Sequence, residues 1–276
     1  MEPLTDDCFL KFLRSFEKKF FVDEDGNKHE FYDSLTELSR SDSKPYDALI
    51  TNNFPMLGLD LMVKASPKWR DLSKQCQRNS KRCKHRFPKT VDALFCKESS
   101  NGNLELHIIE FKFIPDESNK DKLESLYENI IEKDNKYRMD KLKNPKSKKK
   151  NKKCFDDDFV EDFKTIRKYY FDKLENSLQL KPYEAIFIAL PGLYEEYCEE
   201  RNLEKKDIRR YLSEMEKYYW VCINSGTENE DNLHKQAQYY EKYYKRMEPE
   251  IFKEARARTK KEFEDNLKND ILVDVN

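Results

Sequence analysis

Val91-Asp92-Ala93-Leu94-Phe95 and Leu104-Glu105-Leu106-His107-Ile108-Ile109-Glu110-Phe111-Lys112-Phe113-Ile114, separated by a Ser99-Ser100-Asn101-Gly102-Asn103 turn, decide how this chain folds. Both arms are rich in β-branched, aromatic and aliphatic residues, and the Asn/Gly turn lets the chain reverse, so the pair reads as a β-hairpin. Side chains alternate along a strand. Leu106, Ile108, Glu110, Lys112 and Ile114 therefore share one face, and Ile109, Phe111 and Phe113 the other. The hairpin brings Asp92 opposite Glu110. Charges placed on an apolar strand cost several kcal/mol each unless they are paired or hold a metal. Two carboxylates converging beside one lysine offer hard oxygens for a divalent cation and a compact positive charge next to it.

Asp92, seventeen intervening residues, then Glu110-Phe111-Lys112 resembles the motif of the PD-(D/E)XK nuclease superfamily, with Val91 where that family usually has Pro. The resemblance spans about 25 residues around that motif. It implies a restriction endonuclease-like α/β core, ordered αβββαβ, with a mixed central sheet flanked by helices and extra helices around it. Asp92, Glu110 and the Phe111 carbonyl would hold Mg²⁺ or Mn²⁺, and Lys112 would assist the attacking water. The family adds an acid from its first helix, for which Glu17 and Glu37 both qualify. DNA is the implied partner, with RNA left open, and cleavage would leave a 5′-phosphate. The competing readings are a non-catalytic nucleic-acid-binding module on the same fold, and a structural ion pair guarding an edge strand.

A second segment speaks for anion contact. From Lys64 to Lys89 there are ten Lys/Arg against one acid, Asp71, a local charge of about +9 in a chain whose net charge is -1. Solvated faces normally mix signs, so Lys74, Arg78, Lys81, Arg82, Lys84, Arg86 and Lys89 are expected to meet phosphates. Charged residues make up 39% of the chain and aromatics 13%, a composition too rich in aromatics for wholesale disorder. Five glycines leave few tight turns and point to long helices.

Around these segments, residues 7–20 carry Phe9, Leu10, Leu13, Phe16 and Phe20 at helical spacing. Asp25-Gly26-Asn27 marks a turn between short extended arms, with a short helix following over 33–39. Residues 54–63 and 183–190 read as buried strands, the second stopped by Pro191-Gly192. Helices are expected over 118–142, 156–174, 194–218 and 233–267, with a strand over 220–223. Eight lysines over 141–153 read as an exposed linker. The chain is thus expected to form a single nuclease-like domain over 1–276 with a helical extension from 227. Leu233, Ala237, Tyr240, Tyr244, Met247 and Ile251 fall near one face of that extension, suited to internal packing or a homodimer.

Other chemistries have little support. Seven cysteines without paired spacing suit reduced thiols, and Cys76, Cys83 and His85 lack a fourth zinc ligand. No Walker, Gly-x-Ser-x-Gly or dinucleotide-binding pattern occurs. The Met-Glu-Pro start lacks signal-peptide order, and no apolar run approaches a membrane span, so a soluble cytoplasmic protein is expected.

Overall fold

The computed structural model describes residues 3–22, 26–41, 44–48, 50, 52–71, 88, 90–114, 180–225, 230–244 and 251–267. The chain divides into two compact units, one of Met1–Lys112, Ser177–Asn224 and Asn229–Asn276, the other of Phe113–Asn176 with Ser225–Glu228. The elements below belong to the first, save the last residues of two strands. The expected helices over 118–142 and 156–174 and the linker over 141–153 lie outside the described residues.

Helix α1 (Asp6–Arg14) starts at Thr5, whose hydroxyl accepts from the Cys8 N–H, with Asp6 and Asp7 in the first turn where the helix dipole favours negative charge. Its buried face is Phe9, Phe12 and Leu13. The turn at Gly26, with φ of 87°, joins β1 (Phe20–Val22) to β2 (Lys28–Glu30) in a separate antiparallel ribbon. Next come β3 (Tyr32–Ser34), α2 (Leu35–Leu38), the small ribbon of β4 (Arg40–Ser41) and β5 (Lys44–Ala48), then β6 (Pro55–Leu57) and α3 (Leu59–Ala65). The hairpin forms as β7 (Ala93–Glu98) and β8 (Leu104–Ile114), with Gly102 at φ of 78° closing the turn. After the second unit come α4 (Leu190–Arg201), α5 (Ile208–Glu214), β9 (Glu216–Ser225), α6 (Glu230–Tyr244), β10 (Glu254–Thr259) and α7 (Lys260–Asn266).

Six strands form one mixed sheet in the order β10-β9-β8-β7-β6-β3. The pairs β3/β6, β6/β7 and β7/β8 are antiparallel and β9/β10 is parallel. Between β8 and β9, Tyr218 reaches Glu105 and Trp220 reaches His107. Those contacts advance together along both strands, as in a parallel pair. Both faces of β8 are covered, with Phe263 of α7 against Phe111 and Trp220 and Lys181 against Glu110. Its residues from Leu104 to Phe111 are all buried, as in an α/β sheet covered on both sides.

The expected strand over 54–63 is instead a three-residue strand followed, across Gly58, by a helix. Leu59, Met62 and Val63 are its buried residues, at i, i+3 and i+4, a helical stripe inside an apolar run too short to separate the two periods. The expected strand over 183–190 is helical too: helix runs from 180 to 201, with a π turn at Ala185–Ala189. Proline cannot donate to the carbonyl four residues back, and the wider turn sits just ahead of Pro191 where that bond is missing. Strand β9 takes the sheet position expected for 183–190.

The helix expected over 194–218 stops at Arg201. Asn202 adopts the left-handed conformation (φ 52°), and the Leu203 N–H donates to Cys198 O at 2.8 Å, closing the end in a Schellman-like turn. The long helix expected over 233–267 is interrupted by β10, whose Glu254-Ala-Arg-Ala-Arg-Thr259 alternates half-buried and buried residues against β9. Leu233, Ala237 and Tyr240 of α6 are buried, and α6 packs on β10, so this part of the face packs inside the chain, Ile251 is half-buried, and Met247 lies outside the described residues. No helix among the described residues is long and apolar enough to cross a membrane.

Gly192 shows how tightly α4 is packed. A Cβ there would lie 2.8 Å from Cζ2 of the Trp69 ring, closer than side chains tolerate. Gly192→Val should force Trp69 off the helix and lower stability by about 1–3 kcal/mol, measured as a shifted urea midpoint with unchanged slope. A wild-type midpoint would show that the ring is not held there.

Candidate active site

The register that pairs Ala93 with Ile109 places Asp92 beside Glu110. The Asp92 N–H donates to Ile109 O at 3.0 Å, and its Oδ2 accepts from the Phe111 N–H at 2.6 Å. Asp92 is thereby fixed to the strand that carries Glu110. Lys112, two residues on, shares the Glu110 face, and its ammonium pairs with Glu110 Oε1. The structure brings together all three motif side chains.

It adds a fourth group. Lys181, in the first turn of the helix over 180–201, donates from Nζ to Glu110 Oε1 at 2.6 Å and lies 3.9 Å from Asp92 Oδ1. Its only sequence signal was a lysine before Pro182 at the head of an apolar run, and that run reads as a strand. Glu110 is fully buried, while Asp92, Lys112 and Lys181 keep 25%, 18% and 17% of their side-chain surface. Glu110 is therefore the most buried member of the cluster, and the other three lie nearer the surface. Both lysines address Oε1, and Oε2 is buried with no hydrogen-bond partner among the described residues.

Neither Glu17 nor Glu37 is seen in contact with this cluster. Glu37 forms a two-pronged pair with Arg40 on the surface, which holds its carboxyl below the usual range. The acid that the fold sets nearby is Asp60 of α3, whose Oδ1 accepts from Thr90 Oγ1 at 2.8 Å and whose charge helps hold Lys181 protonated. Lys64 pairs with its other oxygen at 2.7 Å. His107 lies on the opposite face of β8, stacked between Phe95 and Tyr218. Indole N–H can only donate, so the Trp220 contact to Nδ1 at 3.2 Å puts the His107 proton on Nε2, facing Glu105. Burial, helped by Lys97, pushes its pKa down to about 3. It is a neutral packing group.

The basic segment is visible only at its start. Lys64 is paired with Asp60, Lys68 with Glu195 at 2.6 Å, and Arg70 donates to Lys64 O at 2.9 Å. These three serve internal contacts. Lys74, Arg78, Lys81, Arg82, Lys84, Arg86 and Lys89 lie outside the described residues, as do Cys76, Cys83 and His85. A pocket of about 380 Å³ opens between the end of α1, α3 and α4, lined by Phe16, Phe31, Met62, Leu193, Tyr197 and Glu200 among others. None of the acid–lysine cluster lines it.

Among the described residues no three His, Cys, Asp or Glu side chains converge as a ready metal cage. The donor set that the structure brings together at the cluster is two carboxylates. That suits Mg²⁺, which is commonly held by one or two carboxylates and keeps several waters. The unpartnered Glu110 Oε2 leaves a buried acceptor of the right chemistry. β8 lies inside the sheet between β7 and β9, so its charges do not guard an edge. Comparison of the chain with protein-family models, with curated proteins and with solved structures gives no match.

Burial, reinforced by the charge of Glu110, pushes the Asp92 pKa up to about 6, against the pull of Lys181, Lys112 and the Phe111 N–H. The folded pKa lies above the ordinary 3.8, so ionising Asp92 costs stability. This cost is absent below pH 4, grows between pH 4 and 6, and is complete above 6. Asp92→Asn should therefore raise stability over wild type by about 1–3 kcal/mol at pH 7.5 and leave it unchanged at pH 4. Urea unfolding of both proteins at the two pH values measures this, and an equal effect at both would exclude the ionisation as its cause.

Proposed function

We propose that this chain is a metal-dependent endonuclease of the PD-(D/E)XK type, hydrolysing phosphodiester bonds in DNA. The observation that carries the reading is the buried, unpartnered Glu110 Oε2 beside Asp92, on the strand face that also presents Lys112. Three antiparallel strands, β6, β7 and β8, followed by helices and by β9 on the far side of β8, support the same reading, since this is the strand order that the motif's resemblance implies.

Asp92 and Glu110, with the Phe111 carbonyl, would hold Mg²⁺ or Mn²⁺. Such an ion supplies Lewis acidity toward the scissile phosphate and lowers the pKa of water. Lys112, whose ammonium pairs with Glu110, orients the attacking water, and the proton of that water passes to solvent. Water oxygen bonds to phosphorus, the bond from phosphorus to the 3′-oxygen breaks, and that oxygen leaves with the electron pair and is protonated by solvent. The products are a 5′-phosphate and a 3′-hydroxyl. Asp92, hydrogen-bonded to the Phe111 N–H, keeps the two carboxylates in fixed register through the reaction.

One observation favours a second reading. Two carboxylates and two lysines already balance in charge, so the cluster also works as a purely structural ion group. Purified protein incubated with plasmid, linear and single-stranded DNA and with RNA, in Mg²⁺, Mn²⁺ or EDTA, separates the two. Cleavage should require the divalent cation and fall by about 10²–10⁴-fold in Asp92→Ala and Lys112→Ala. Mn²⁺ should also raise the thermal midpoint of wild type but not of Asp92→Ala. A midpoint indifferent to Mn²⁺, together with no cleavage, leaves the structural reading in place.

A further inference from the structure

Lys112 pairs with, and Lys181 donates to, one oxygen of Glu110, while the other oxygen of the same carboxylate is buried with no hydrogen-bond partner among the described residues. Lys112 by itself can neutralise Glu110, and Lys181 stands between the two acids, 2.6 Å from Glu110 Oε1 and 3.9 Å from Asp92 Oδ1. It is also delivered from a distant part of the chain, 71 residues beyond Glu110, on a helix whose next turn is π-helical. A π turn inserts one residue into the helical register and swings the preceding turn around the axis, and such turns are frequent at functional sites. Lys181 enters the cluster from the turn before the π turn, while Ala189 at its end and Leu190 and Leu193 beyond it are buried in the core.

Charge decides what the second lysine is for. Two carboxylates and two lysines sum to zero, and a divalent cation among them leaves an excess of two positive charges. A phosphodiester brings one negative charge and takes up a second as a hydroxide equivalent adds to phosphorus. The excess therefore matches the transition state better than the bound substrate, the condition for electrostatic catalysis. Of the two lysines, Lys112 is tied by its position two residues along the same strand face to remain beside Glu110. Lys181 approaches from the helix side and spans both acids, its ammonium on a four-carbon stem.

We infer that Lys181 is a second catalytic lysine, which leaves Glu110 Oε1 for a non-bridging oxygen of the scissile phosphate and neutralises the charge that develops there. It transfers no proton. The inference rests on the nuclease reading above and assigns that site a specific grip on the phosphodiester group. Lys181→Met removes the ammonium and keeps the stem, and Lys181→Arg keeps the charge.

Three measurements on the purified full chain test it, with a fluorescein-labelled duplex DNA, the same strand alone and a matching RNA as substrates. Lys181→Met should cut about 10²–10³-fold more slowly in a single turnover, with Lys181→Arg recovering at least tenfold of the loss. Its Mn²⁺ affinity, by electron paramagnetic resonance titration, should equal or exceed wild type, because a competing cation has left Glu110. Sulfur at one non-bridging oxygen of the scissile phosphate should slow wild type but have little further effect on Lys181→Met. Lys181→Met cleaving within threefold of wild type overturns this inference alone. So does loss of Mn²⁺ binding, cleavage and thermal stability together, which marks a structural lysine. Wild type that binds no Mn²⁺ and cuts none of the three substrates removes the nuclease reading and this inference with it.

Discussion

Glu110 has no solvent exposure and sits in the middle of a six-stranded sheet, where an isolated carboxylate would cost several kcal/mol. The surrounding arrangement answers that cost. Lys112 comes from the same strand face and Lys181 from a helix that has to lie across the sheet at this point to reach it. The helix is moored further along its length by Trp69 against Gly192 and by Glu196, which accepts from Ser66 Oγ and the Lys68 N–H, both at 2.8 Å. Breaking one partner of such a buried ion group typically costs 3–5 kcal/mol, so sheet, helix and cluster stand together. Lys217 offers a contrast. It is also buried, yet three carbonyls at the end of α5 take its hydrogen bonds, Leu212 O at 2.6 Å, Met215 O at 2.5 Å and Ser213 O at 3.3 Å. That charge needs no carboxylate, and burial lowers its pKa to about 8.

The hairpin and its acids were legible because several local signals agree there: alternation, β-branched content, Asn/Gly turn chemistry and charges at matching positions. Where the periods compete, the reading went astray. Over 54–63 and 183–190 an apolar run of eight to ten residues fits a buried strand and a buried helix alike, and only the packing partners decide. Strand β10 failed for the opposite reason. Ala255, Arg256, Ala257 and Arg258 are good helix formers, and the parallel neighbour β9 overrides that preference with a row of backbone hydrogen bonds. Lys181 was invisible because nothing local ties a lysine to a carboxylate 71 residues away. Its relation to Glu110 exists only in three dimensions.

The strands of the main sheet stand side by side in the order in which the chain is made, β3, β6, β7, β8, β9 and β10. Each can pair with its predecessor as it leaves the ribosome, so the sheet grows in one direction. The acid pair and Lys112 are in place early, but the second counter-charge trails Glu110 by 71 residues, several seconds of synthesis at roughly 5–20 residues per second. During that interval the hairpin carries two acids and one lysine and has no neighbour on the β9 side. A chain in that interval lacks the ammonium that donates to Glu110 in the finished fold and the helix that carries it. Nascent chains halted before and after residue 181 would differ in exactly the place where the mature protein is most buried.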